Sequence, residues 1–96
     1  MNAEIRQAIA DKKLVEFSYQ NFLRVAEPHA YGFWRGGDHL LLYQTRGGSR
    51  SKNLPKWLSV RLSQITDFRV LDETFSKRVI SGTEYSFWEA TYAIVR

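Results

Sequence analysis

The stretch Leu14-Val15-Glu16-Phe17-Ser18-Tyr19-Gln20-Asn21 opens the part of the chain that decides the fold. Val15, Phe17 and Tyr19 alternate with Glu16 and Ser18. Successive side chains of a strand point to opposite faces, so this period of two predicts a half-buried strand. Gln20-Asn21 is a tight turn. The run from Leu23 to Trp34 is β-rich but interrupted by Pro28 and Gly32. Proline has no N–H to give a ladder and sits in sheets at edges, starts or bulges. The expectation is one long strand, bent sharply in its middle. Gly36-Gly37-Asp38 make a hairpin turn, and His39 to Gln44 form the next strand. Its unbroken Leu40-Leu41-Leu42 predicts burial on both faces, against the core on one side and the N-terminal helix on the other.

Upstream, Asn2 can cap a short helix whose stripe is Ile5, Ala8 and Ile9. Downstream, Arg46 to Lys56 is a polar loop with Gly47, Gly48 and Pro55. Trp57 to Leu62 alternates again, and Ile65 to Leu71 is a last strand with Phe68 and Val70 on one side. Ser86 followed by Glu89 reads as a capping box. Trp88, Tyr92 and Val95 then share a helical face, so a short C-terminal helix is expected, although Thr91, Ile94 and Val95 would also suit a strand. The fold class is mainly β (α+β): about five strands between Leu14 and Leu71 in a small closed or nearly closed barrel. Phe17, Leu41, Leu62 and Phe68 are its expected core. Residues 1–75 form the barrel with its N-terminal helix. Residues 76–96 form a helical extension that packs on the barrel or on a partner.

Composition limits the function. A chain of 96 residues builds one core. It has no cysteine, which removes disulfides, thiolate metal sites and thiol catalysis. No apolar run approaches the roughly 20 residues of a membrane helix, and Glu4, Arg6, Asp11, Lys12 and Lys13 do not make a signal peptide. A cytoplasmic protein that does not enter the membrane is expected. Net charge is +4. Between Asp38 and Asp67 there is no acidic residue, while Arg46, Arg50, Lys52, Lys56 and Arg61 all lie there. That segment is either a solvated face or a site of attraction for phosphates.

Little else in the chain speaks of chemistry. His29 and His39 have no metal-ligand spacing, and Gly47-Gly48 lacks the lysine and hydroxyl of a phosphate loop. No nucleophile stands beside a base. An enzyme, a metal site and a cofactor are therefore not expected. The polar residues worth naming lie in strands: His29, His39, Tyr43 and Arg61. An arginine between Val60 and Leu62 either bridges to Glu16 or Glu27 across the sheet or faces a ligand.

Together these elements resemble the WYL domain, a bacterial module with an SH3/Sm-like barrel. The resemblance runs from Ile5 to Phe75. It rests on Ile5-x-x-Ala8-Ile9, Val15-x-Phe17-x-Tyr19, Arg24-Val25-x-Glu27-Pro28-His29, the strand ending at Tyr43, Val60-Arg61-Leu62-Ser63-Gln64-Ile65 and Phe68-x-Val70-Leu71-Asp72-Glu73-Thr74-Phe75. The eponymous Trp-Tyr-Leu falls on Asp38-His39-Leu40. Ser63 and Gln64 replace an aspartate and an arginine of the family pattern. The resemblance implies a five-stranded SH3/Sm-like barrel acting as a ligand-sensing regulatory module for a nucleotide or single-stranded nucleic acid. His29, His39, Tyr43, Arg61 and Gln64 would be the ligand-binding residues. Arg46, Arg50, Lys52 and Lys56 would attract the backbone phosphates. A homodimer or a larger regulatory protein is a further expected partner. The rival reading is a protein-interaction or oligomerisation module that uses the aromatic C-terminal segment, with Tyr85, Phe87, Trp88 and Tyr92 as its adhesive face, and does not bind nucleic acid.

Overall fold

A computed structural model describes residues 2–96. The chain runs α1 (Asn2–Asp11), β1 (Lys13–Tyr19), β2 (Phe22–Trp34), β3 (Gly37–Gly47), β4 (Lys56–Arg61), a 3₁₀ turn (Leu62–Gln64), β5 (Ile65–Thr74) and β6 (Ala90–Ile94). It is mainly β, with one antiparallel sheet ordered β4-β3-β2-β1-β5 and with β6 also paired to β2. No ladder joins β4 to β5, so the sheet is not closed.

Both tight turns follow from residues that tolerate positive φ. Tyr19 pairs with Phe22 around Gln20 and Asn21, with φ of 51° and 67°. Trp34 pairs with Gly37 around Arg35 and Gly36, with φ of 49° and 74°. Such two-residue turns match the twist of the strands they join. The second lies one residue earlier than the expected Gly36-Gly37-Asp38.

β2 is bent as its proline predicts. Its first half pairs with β1 through Phe22–Ala26, and its second half pairs with β6 through Ala30–Phe33. Against β3 the register slips between Pro28 and Ala30, which makes His29 the extra residue of a bulge. His29 and Ala30 therefore both meet the layer outside the sheet.

Inside the sheet lies the main core. Ile5, Ala8 and Ile9 of α1 pack with Phe17, Tyr31, Leu40, Leu42 and Val60. The expected core residues Phe17, Leu41 and Leu62 are buried, and Phe68 packs against the core partly buried. Leu40-Leu41-Leu42 is covered on both faces, but the second cover is not α1. Leu41 and Ala30 pack under Trp88, with Ile80 and Tyr85 beside it.

The expected C-terminal helix is replaced by turns followed by β6. The reason lies in β2: where β1 leaves its edge, β6 takes up the free backbone groups. Two further bonds extend this docking, from Glu89 N–H to the Phe33 carbonyl (2.8 Å) and from Val95 N–H to the His29 carbonyl (2.8 Å). Arg6 locks β6 to α1. It donates to the Tyr92 carbonyl at 3.0 Å and lies over the Tyr31 and Tyr92 rings. Burial and the neighbouring Asp38 carboxylate, which accepts from the Tyr31 hydroxyl, push that hydroxyl up to about 12. No helix is long and apolar enough to cross a membrane.

Candidate functional site on the outer face

Cross-strand partners of an antiparallel pair project from the same side of the sheet. β3 and β4 pair His39 with Arg61, Leu41 with Ser59 and Tyr43 with Trp57. All six thus share the outer face, which His29 joins through the bulge in β2. Residues 75–89 lie across this face as a strap, and its two ends differ in chemistry.

At one end His29 is fully buried. Its ring sits 5.0 Å from Trp57 and 5.1 Å from Phe75. Nδ1 bonds the Glu27 carbonyl at 2.9 Å, and Nε2 accepts the Arg78 backbone N–H at 3.2 Å. These two roles require the neutral ring with its proton on Nδ1. Burial holds its pKa below the usual histidine value, more than the Glu27 carbonyl and carboxylate restore, and Arg78 and Lys77 act in the same direction as burial. Above it the Arg78 guanidinium donates to both oxygens of Glu27, at 2.7 and 3.1 Å, and lies 4.0 Å from the Tyr43 ring centroid. His29 is therefore sealed by the strap, and Tyr43 is half-covered by it.

The lowered pKa has a sign. Unfolded histidine titrates near 6.5, and the folded ring titrates lower, so the unfolded chain binds the proton first as pH falls. The contribution of His29 is complete above about pH 6.5 and shrinks as pH drops toward the folded value. Thermal melts between about pH 7.5 and 5 should show this loss in the wild type. His29→Phe should melt lower at neutral pH and show a flatter acid limb. An unchanged acid limb would remove His29 from that account.

The other end is more open. Arg61 is half-buried and its Nη2 donates to the Arg35 carbonyl at 2.8 Å. Gly37 lies directly under it: a Cβ there would meet the Arg61 guanidinium, the flexible tip of a long side chain, and displace it. Neither suggested carboxylate reaches Arg61: Glu16 pairs with Arg69 and Glu27 with Arg78. Arg35 lies over the Trp34 ring at 4.6 Å. Trp34 in turn meets Phe87 at 4.8 Å and His39 at 5.5 Å. His39 is buried with Nδ1 on the Gly37 carbonyl at 3.0 Å. Trp88 buries an indole N–H that has no acceptor. Among the described residues neither Arg35 nor Arg61 has a carboxylate partner.

The remaining candidates lie elsewhere. Gln64 is exposed on the 3₁₀ turn and lines a groove with Ser18, Tyr19 and Asn21, away from Arg61's neighbours. Arg46 is paired with Glu73 at 2.8 Å. Arg50 and Lys52 are exposed in the loop after β3. Lys56 donates to the Ser49 and Ser51 hydroxyls at 2.6 and 2.7 Å. Among the described residues no three His, Asp or Glu side chains are placed to hold a metal ion. Sequence reading missed Trp34, Arg35 and Arg78, and named Phe87 only as part of an adhesive aromatic face. Only Arg35 carried a local signal, its place beside a glycine turn. Compared with family models, curated proteins and solved structures, the chain matches none.

Proposed function

We propose that the chain is a ligand-binding regulatory module of the WYL kind, taking a nucleotide or single-stranded nucleic acid at the Arg35–Arg61 end of the outer face. The strand order β4-β3-β2-β1-β5 and the 3₁₀ turn before β5 support an SH3-type barrel, to which the strap and β6 are added. One observation carries the functional reading. Two guanidinium groups without carboxylate partners lie together, Arg35 over Trp34, which meets the exposed Phe87, and Arg61 bonded to the Arg35 carbonyl. Phosphate oxygens suit such donors, and a base can stack on the aromatic rings.

Fluorescence anisotropy with a labelled oligothymidylate of about 10 nucleotides tests this. Arg61→Ala should weaken binding by about tenfold or more, because a charge-assisted bond from a rigid strand is lost. Lys52→Ala should cost less than about threefold, because its loop cation contributes only screened attraction. Both are measured below their melting temperatures, since Arg61 also holds the Arg35 carbonyl. Equal affinity of Arg61→Ala and wild type would overturn this placement of the site.

A further inference from the structure

We propose that the Glu27 end of the outer face is an exchangeable arginine site, and that its second occupant is the Arg78 segment of another copy of this chain. The receptor half of this site is rigid. Glu27 and His29 come from β2, Tyr43 from β3 and Trp57 from β4. The occupant half is not part of any helix or strand: Phe75 to Glu89 joins β5 to β6. The Glu27 side chain is 7% exposed, whereas that of Arg78 is 42% exposed. The carboxylate is thus built into the sheet, and the arginine is laid over it from outside.

Charge decides what can replace Arg78. Lifting the segment leaves a buried carboxylate without its cation, which is far costlier than losing an exposed pair. An anionic ligand cannot take that place. An extended segment bringing a guanidinium can, since carboxylate, ring face and imidazole acceptor are already arranged for one. The segment of an identical chain fits by construction. If residues 75–96 cross over as a unit, every contact of the strap and of β6 is remade, so exchange is a low-cost route to a pair.

A second observation points to a partner on this segment. The large apolar side chains that remain exposed are Leu23, Val79, Phe87 and, at 37%, Tyr92. Three of those four lie within residues 76–96, and Val79, directly after Arg78, is 96% exposed. An exchanged pair runs two such segments past each other and gives these side chains something to cover them.

The test uses the full chain carrying single charge reversals, Glu27→Arg or Arg78→Glu. Inside either variant like charges face each other across the pocket, so each melts below the wild type. The two are then unfolded together and refolded as a mixture. Exchange sets the introduced arginine of one chain against the introduced glutamate of the other, and the native Glu27 against the native Arg78. The expected result is a two-chain species with one of each variant by native mass spectrometry, and a melting temperature restored toward the wild type. A mixture that holds only single-chain masses and melts as the two variants do separately overturns the proposal. Where neither variant folds alone, a folded mixed pair supports it. Absence of that pair, with wild-type chain refolded at about 1 mM remaining single, overturns it. Oligonucleotide binding at Arg61 is read separately and does not move the mass.

Discussion

Phe17→Ala is expected to cost about 3–5 kcal/mol. The ring is fully buried in the middle of β1, where it packs between α1 and the inner face of the sheet. β1 is paired on both edges, with β2 and with β5. Its backbone cannot easily close over the missing ring. A chain of this size has roughly 5–14 kcal/mol of total stability, so the loss takes much of it. Urea denaturation of the variant should show a greatly lowered midpoint or no cooperative transition. A midpoint equal to wild type would place Phe17 outside the core.

Gly32→Ala is expected to cost about 1–3 kcal/mol by overpacking, and the damage should fall on the outer layer. A Cβ at Gly32 meets the Ala90 carbonyl and the Trp88 ring. The first is backbone of β6 and the second is the side chain that covers Ala30 and Leu41. Neither is a flexible tip that can swing aside, so β6 must shift from β2. Tryptophan fluorescence should move toward that of a solvated indole at temperatures where far-ultraviolet circular dichroism still reports the sheet. A variant with wild-type fluorescence and melting temperature would contradict this packing.

The parts of the fold legible in the sequence are those where one physical signal acts locally. Val15-Glu16-Phe17-Ser18-Tyr19 alternates because its inward residues meet one core. Pro28 announces the bend of β2 because it cannot donate to a ladder. The C-terminal segment misled because two local signals compete there. The helix reading took Ser86 and Glu89 for a cap, but the local bonds are made by Ser81 and Glu84 around Gly82. Whether Ala90–Ile94 becomes helix or strand is settled by the vacant edge of β2, a feature some 60 residues away along the chain and invisible in any window.

Arg61 shows the same limit within the candidate site. Its position on a strand is readable from spacing and resemblance; its pairing with His39 is not. Nor is its lack of a carboxylate partner, because that depends on Glu16 being taken by Arg69 and Glu27 by Arg78, which lie 53 and 51 residues from them. Gln64 is grouped with Arg61 only by the resemblance. The 3₁₀ turn that follows β4 carries it to another surface.

The double cover of β3 sets how this chain can be dissected. An antiparallel sheet commonly keeps one wet face, and a fragment that stops after β5 would be a natural choice for expression. Here that cut would strip the outer layer from Ala30, Leu41, Trp34 and Trp57 at once, and would leave Glu27 without Arg78. The exposed surface would be a contiguous apolar strip around a stranded carboxylate, a surface that drives aggregation rather than solubility. In the language of gene design, the last 22 residues are no tail to be trimmed but half of the wall that they cover.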